Sequence, residues 1–130
     1  MYQWEVWIKD SSSTTSNYDT YDGSSFEVDG SFAPCTNATA SPNPASPQTV
    51  GTPVTINASS SACATPQYEF WELAPGGQSG WTIVQPYSAS TSYAWNTSQG
   101  PGVYQFEVWV RDMNSTAPYD TYTGFSDTLQ

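Results

Sequence analysis

The most regular pattern of hydrophobic and polar positions lies near the C-terminal end of the sequence. Between residues 104 and 111 the chain alternates strictly between two sets of side chains. The first set is Tyr104, Phe106, Val108 and Val110, and the second set is Gln105, Glu107, Trp109 and Arg111. Because successive side chains of a β-strand point to opposite faces, this period of two predicts a strand that is buried on one face only.

Other apolar, aromatic or β-branched segments bounded by Gly, Pro or Ser clusters are also predicted to be strands. They are Cys35–Ala40, Val54–Asn57, Gln67–Leu73, Trp81–Gln85, Ser92–Trp95 and Thr121–Leu129. No stretch shows the helical period of about 3.6 residues. Seven strands separated by turns predict an all-β antiparallel sandwich of two sheets. The segment Ser41–Pro53 contains four prolines and is expected to be an extended edge or a loop, since proline cannot donate to a central ladder.

An internal repeat is evident from two pairs of segments. Tyr2–Asp10 (YQWEVWIKD) matches Tyr104–Asp112 (YQFEVWVRD) at six of nine positions. The segment Tyr18–Tyr21 matches Tyr119–Tyr122 at every position. The offset is 102 residues for the first pair and 101 for the second, so one residue is lost in the loop between them, where length changes are best tolerated.

The length of the repeat predicts the domain organisation. A unit of about 101 residues is the size of one sandwich domain. We therefore expect residues 30–130 to form one complete repeat. Residues 1–29 are expected to be the last two strands of a preceding or neighbouring copy, so that the chain holds 1.3 repeats of a tandem array.

Four segments carry a resemblance to a known family: PASPQTVGTPVTI, YEFW, TSYAWNTS and GPGVYQFEVWVRD. Together they resemble the Ig-like repeats of bacterial surface and secreted proteins, which are similar to PKD-type and fibronectin type III-like modules. The resemblance covers residues 30–130 and implies a seven-stranded Ig-like β-sandwich. It also implies a place in stalks, adhesins, filaments or fibrils, or in accessory modules of secreted enzymes, because one fold serves many functions.

Composition and charge narrow the possible partners. The chain has 2 basic residues, 12 acidic residues and no His, which gives a net charge of −10. Binding to nucleic acid or to an anionic membrane is therefore not expected. No apolar run approaches the ~20 residues of a membrane span, and the start MYQWEVWIKD lacks the features of a signal peptide. Without His or a recognisable catalytic motif, we expect no enzymatic activity, no metal site and no cofactor.

The two cysteines, Cys35 and Cys63, are expected to form a disulfide, because neither a CxxC motif nor a histidine offers them another use. Two buried free thiols in a cytosolic protein are the alternative. The disulfide would close a loop of about 29 residues and stabilise the fold by about 3–4 kcal/mol in the chain-entropy model. Together with the scarcity of lysine and the abundance of hydroxyl residues, it favours an extracellular or cell-surface location.

Asn-x-Ser/Thr sequons occur at Asn37, Asn57, Asn96 and Asn114, a mild excess over chance. They predict covalent glycans on an extracellular surface. The alternative is accidental matches in a chain rich in Ser and Thr. Asn96 and Asn114 lie beside predicted turns and are favoured, because a glycan needs an exposed attachment site.

Trp7 and Trp109 occupy the same position in the two copies and are expected to point outward from their sheets. Three roles are open to them: stacking on a sugar ring, packing against a neighbouring module, or local cover, which includes a cation–π contact with the nearby Arg. Packing between modules is favoured, because exposed aromatic area mostly marks an interface. Four loop acids lack the spacing of a calcium-binding loop and are interpreted as solvated: Asp19, Asp22, Asp112 and Asp120.

The apolar face of residues 1–29 has no cover within that segment. Because a lone pair of strands is marginal in water, something else must bury this face. One option is the remainder of a preceding repeat, and the other is a neighbouring subunit that accepts the strands, as in donor-strand complementation. Both are head-to-tail contacts, which propagate as open filaments when the rotation does not close.

The predicted partner is therefore another copy of the chain. The predicted function is that of a structural subunit of an extracellular filament or surface stalk. The first alternative is a carbohydrate-binding or accessory module of a secreted protein, and the second is a monomeric stalk without lateral assembly. The predicted assembly interface consists of Tyr2, Trp4, Val6, Trp7, Ile8, Phe26, Val28 and Trp109.

Overall fold

The computed structural model describes residues 2–12, 14, 20–26 and 31–130. By its internal contacts the chain divides into two compact units, Met1–Ser31 and Phe32–Gln130. In the described parts of the chain the regular elements are nine β-strands and one 3-10 turn, so the prediction of an all-β fold is confirmed.

The first unit is an antiparallel hairpin. Strand β1 spans Tyr2–Ile8 and strand β2 spans Thr20–Phe26. The register of the pair runs from Tyr2 opposite Phe26 to Ile8 opposite Thr20 without a bulge.

The second unit contains seven strands in two antiparallel sheets. The strands are β3 (Thr36–Asn43), β4 (Val54–Ser61), β5 (Pro66–Leu73), β6 (Thr82–Ser88), β7 (Ser92–Trp95), β8 (Gly102–Asp112) and β9 (Thr121–Leu129). One sheet has the order β3–β4–β7, and the other has the order β6–β5–β8–β9. Hairpin connections join β3 to β4, β5 to β6 and β8 to β9, and the remaining connections pass from one sheet to the other.

The hydrophobic core lies between the two sheets, which makes the second unit a β-sandwich. Trp95 of β7 meets Tyr104 and Phe106 of β8 edge-to-face, with ring centroids 5.1 and 5.0 Å apart. The inward set predicted for β8 is buried, because all four side chains are at most 3% exposed. The core comprises Cys35, Val54, Ile56, Ala58, Tyr68, Phe70, Trp95, Tyr104, Phe106, Val108, Val110 and Leu129.

The proline-rich segment runs along the edge of the sandwich, as predicted. Strand β3 pairs only with β4, and it ends at Asn43 where the Asn43–Pro44 peptide bond is cis. Farther along, Gln48 forms an isolated parallel bridge with Leu129 of β9. The segment therefore closes one side of the fold without entering a central strand position.

Strand β4 is longer than the predicted segment 54–57. Its second half is rich in serine, and these hydroxyls interact with threonines of the neighbouring strand. The Thr39 and Ser59 hydroxyls are 2.6 Å apart, and those of Thr36 and Ser61 are 3.4 Å apart. Cross-strand hydroxyl pairs of this kind support a strand that hydrophobicity alone does not reveal.

The disulfide between Cys35 and Cys63 is present, which confirms the predicted pairing. Cys35 lies directly before β3, and Cys63 lies just after β4. The bond therefore staples the open end of the β3–β4 hairpin, and the Cys35 side of it is part of the buried core.

Candidate functional site

The β1–β2 hairpin reproduces the β8–β9 hairpin pair by pair. Trp4 lies opposite Ser24, and the repeat-equivalent Phe106 lies opposite Phe125. Every other pair of β1–β2 also has its counterpart in β8–β9 at the repeat offsets. The two copies of the sequence repeat therefore form the same local structure with the same register.

The two hairpins differ sharply in what covers their apolar faces. In β1, Trp4 is 68% exposed, Val6 is 61% exposed and Ile8 is 55% exposed. Their equivalents in β8 are at most 1% exposed: Phe106, Val108 and Val110. The face that forms the centre of the sandwich in one copy is thus open to solvent in the other, and its role as an interface stays a prediction.

The remaining residues of the predicted interface are placed differently. Tyr2, Trp7 and Phe26 lie in strands, but their side chains are outside the described part of the structure, and so is the whole of Val28. Trp109 is half-buried on the opposite face of β8, away from the core positions. It therefore lies on the face of β8 opposite to the equivalents of Trp4, Val6 and Ile8.

Trp109 is the centre of a cluster of aromatic rings on the outer face of the four-stranded sheet. Its ring centroid lies 4.8 Å from that of Trp71 and 4.7 Å from that of Tyr119. Tyr119 in turn lies 5.4 Å from Tyr122. A groove of about 200 Å³, which we call the outer groove, is lined by Glu107, Trp109, Tyr119 and Tyr122.

The position of Arg111 excludes a cation–π contact between Arg111 and Trp109, and the ring contacts of Trp109 leave local cover as one of its roles. The Arg111 guanidinium lies 4.1 Å from the ring centroid of Tyr87, not over Trp109, and it donates to the Ala117 carbonyl at 3.4 Å. Burial and the nearby Glu69 carboxylate raise the pKa of Tyr87. The neutral Tyr87 ring therefore serves as the platform for Arg111 at physiological pH.

Two aspartates tie the loops together at one end of the sandwich. Asp112 is 1% exposed and accepts hydrogen bonds from the backbone N–H groups of Asn114 and Thr65 and from the Thr65 hydroxyl. Asp120 accepts from the backbone N–H groups of Cys35 and Asp112. We call this pair the aspartate clasp. The prediction that these acids are solvated is wrong for Asp112, because its carboxylate replaces water with backbone donors.

Hydrogen bonding determines the charge state of the aspartate clasp. The Asn114 N–H bond, with further bonds from Thr65, lowers the pKa of Asp112 despite its burial. Burial alone would raise the pKa of Asp120, but bonds from Ser115, Asp112 and Cys35 together lower it. Both carboxylates therefore remain ionised at neutral pH and stabilise the loops as anions.

The asparagines of the four predicted sequons are all exposed: Asn37, Asn57, Asn96 and Asn114. Two of these side chains already take part in local hydrogen bonds. Asn96 caps the 3-10 turn at Thr97–Gln99 by accepting from the Ser98 N–H, and the Asn114 amide donates to Asp112. Glycan attachment at these positions stays a prediction.

The sequence did not identify the outer groove as a site. Its one available clue lies in the repeat, because all four lining residues recur in the first copy as Glu5, Trp7, Tyr18 and Tyr21. The rings that meet there come from β8, β9 and the loop between them. Their convergence therefore depends on strand pairing and on the path of the loop, which alternation alone does not predict.

Among residues 2–12, 14, 20–26 and 31–130, no three His, Cys, Asp or Glu side chains are placed to hold a metal ion. The same residues contain no helix that is both long and apolar enough to span a bilayer.

Comparisons with protein-family models, with curated proteins and with solved structures found no match to this chain.

Proposed function

We propose that this chain is a structural unit of an extracellular filament or surface stalk built from tandem sandwich modules. The observation that carries the proposal is the exposed apolar face of the β1–β2 hairpin, whose register and sequence match those of the buried hairpin β8–β9. In this account β1–β2 is the closing hairpin of another module, and it is covered by that module's remaining strands.

Two features support an Ig-like identity for the module. Seven strands are divided between sheets of three and four, and about 100 residues form the unit. At the start of β8, the Tyr104 hydroxyl donates to the Gly100 carbonyl at 3.0 Å. A tyrosine that bonds back to the upstream backbone at this corner is a hallmark of Ig-like sandwiches.

Physical chemistry favours a covered β1–β2 hairpin. A two-stranded hairpin is at best marginal in water by itself. Burying an apolar side chain of the size of Val or Ile contributes about 1.5–3 kcal/mol, so covering Trp4, Val6 and Ile8 provides a substantial driving force. The cover is either the front strands of a preceding module in the same chain or a neighbouring subunit that accepts the hairpin.

Either form of cover joins different surfaces of successive modules. Such a head-to-tail contact extends as a filament or a linear stalk unless the rotation closes it into a ring.

The disulfide and the exposed sequons support placing this assembly outside the cell. Intact-mass measurement of the native material tests the glycan part, and we expect masses above that of the bare polypeptide.

The assembly part is tested by sedimentation velocity and negative-stain electron microscopy of the chain over a range of concentrations. We expect concentration-dependent linear oligomers, because association buries the exposed apolar face of one copy against another copy. The double variant Trp4→Ser/Ile8→Ser is expected to remain monomeric. A matched control is Ile83→Ser/Val103→Ser, which alters two exposed apolar residues of the sandwich and should assemble normally. Equal assembly of both variants would contradict the proposal, and a strictly monomeric parent chain would exclude a neighbouring subunit as the cover.

A further inference from the structure

The outer groove is open to solvent, and its aromatic rings meet at steep angles. The ring planes of Trp109 and Tyr119 are inclined by 56°, and those of Tyr119 and Tyr122 by 74°. A sugar ring stacks on a flat aromatic face, whereas rings that meet at steep angles form adjoining walls around a compact group. The groove volume of about 200 Å³ suits a group of that kind.

The charge of the outer groove favours a cationic occupant. Glu107 supplies a carboxylate to the lining, and the Trp109 indole N–H donates to its Oε2 at 2.9 Å, which holds ring and carboxylate together. Arg111 is the only basic residue of the sandwich sequence, and it lies against Tyr87 rather than in the groove lining. The net charge of −10 adds a long-range attraction for cations.

The sequence repeat retains the outer groove more strictly than it retains the core. All four lining residues are identical in the first copy: Glu5, Trp7, Tyr18 and Tyr21. The buried positions of β8 and β9 are retained only in part, because Tyr104, Val108 and Asp112 recur as Tyr2, Val6 and Asp10. The other four change: Phe106, Val110, Asp127 and Leu129 correspond to Trp4, Ile8, Phe26 and Val28. An outward surface that stays identical while the core varies points to a ligand, because packing alone tolerates exchange among apolar residues.

We propose that the outer groove binds a trimethylammonium group, of the kind carried by choline or by a trimethylated lysine. The faces of Trp109, Tyr119 and Tyr122 supply the cation–π attraction, and the Glu107 carboxylate supplies the compensating charge. A trimethylammonium group has no N–H donors, so it needs no further hydrogen-bond acceptors in the groove. The proposal is independent of module assembly, because every lining residue belongs to the sandwich itself.

The test is a titration of the intact chain with choline chloride, followed by the NMR resonance of the Trp109 indole N–H. This resonance reports the bond to Glu107 and therefore the occupancy of the groove. The neutral carbon isostere of choline, dimethylbutanol, has the same shape without the charge. We expect choline to bind saturably and the isostere to bind at least about tenfold more weakly, as a charge-dependent contact requires.

Two groove variants and one matched control sharpen the test. Glu107→Gln removes the charge and is expected to weaken choline binding about fivefold or more, and Tyr122→Ala removes one wall with a similar effect. Trp81→Ala changes an exposed aromatic residue outside the groove and should leave binding unchanged within twofold. Glu107→Gln keeps the shape of the side chain, so a folded spectrum makes its result interpretable.

Three results would overturn the proposal. One is no shift of the Trp109 resonance with choline, and another is equal binding of choline and dimethylbutanol, which would reduce the groove to a hydrophobic patch. The third is a shift with a cello-oligosaccharide but not with choline, which would identify a sugar-binding surface instead.

Discussion

The two hairpins of this chain are the same structure in two environments. In β8–β9, Phe106 lies against Trp95 and stacks on Phe125 at 5.3 Å, deep in the sandwich. In β1–β2, the equivalent Trp4 is 68% exposed. The strand register is identical, so local sequence determines the hairpin and the remaining strands determine whether its apolar face is buried. The difference identifies the apolar surface that the proposed assembly covers.

The largest expected difference in stability is between substitutions at Phe106 and at its repeat equivalent Trp4. Phe106→Ala should lower the free energy of unfolding of the sandwich by about 3–5 kcal/mol, because it removes a fully buried ring and leaves a cavity. Trp4→Ala at the equivalent position should change it by less than about 0.5 kcal/mol in the monomer, since the side chain is largely in water. Urea denaturation at low protein concentration measures both. Equal losses would show that the chain itself covers β1.

The Cys35–Cys63 disulfide distinguishes the sandwich from the first hairpin, because residues 1–31 contain no cysteine. The double variant Cys35→Ala/Cys63→Ala should lower the free energy of unfolding by about 3–4 kcal/mol, because the loop of about 29 residues is no longer closed in the unfolded chain. Urea denaturation compares the variant with the parent. An unchanged midpoint would mean that the staple contributes nothing to the stability of the β3–β4 end.

A smaller effect concerns acid stability. The pKa of Asp112 is lowered in the folded chain, so its stabilising contribution is present above the ordinary Asp pKa of about 3.9. That contribution is lost as the pH falls through the lowered pKa. Thermal unfolding between neutral pH and about pH 3 should therefore show a steeper loss for the parent than for Asp112→Asn, which is less stable at neutral pH.

The first hairpin supplies the control for this experiment. Asp10 is the repeat equivalent of Asp112 and forms a similar local turn, accepting from the Ser12 N–H at 2.7 Å. Hydrogen bonds from the Ser12 hydroxyl and then from the Ser12 N–H lower the pKa of Asp10. Asp10 is exposed and lies outside the sandwich unit. Asp10→Asn should leave the unfolding of the sandwich and its acid dependence unchanged. A loss equal to that of Asp112→Asn would contradict the role given to the aspartate clasp.

The features that the sequence predicted well are those encoded by short-range pattern. The alternation of β8, the boundaries of β7 and β9, the disulfide and the edge position of the proline-rich segment follow from periodicity and residue chemistry. The repeat also predicted that residues 1–29 and the C-terminal hairpin are equivalent. The second half of β4 was missed, because its serines are held by cross-strand hydroxyl contacts rather than by burial.

The features that the sequence missed depend on where loops meet. The aspartate clasp joins residues 35, 65, 112 and 120, which come together only when both sheets have formed. The outer groove likewise needs Tyr119 of the β8–β9 loop to fold back over Trp109. Neither arrangement leaves a periodic pattern, although the identical groove residues in the repeat provided a clue.

The central claim is that strands equivalent to β3–β7 cover the apolar face of β1–β2. It is tested most directly in a longer chain that carries residues 32–102 ahead of residue 1, which gives the first hairpin its missing strands. With Val6→Cys as a reporter, thiol labelling should slow by at least about tenfold relative to the 130-residue chain, toward the protection of Val108→Cys. An unchanged labelling rate in the longer chain would contradict the account.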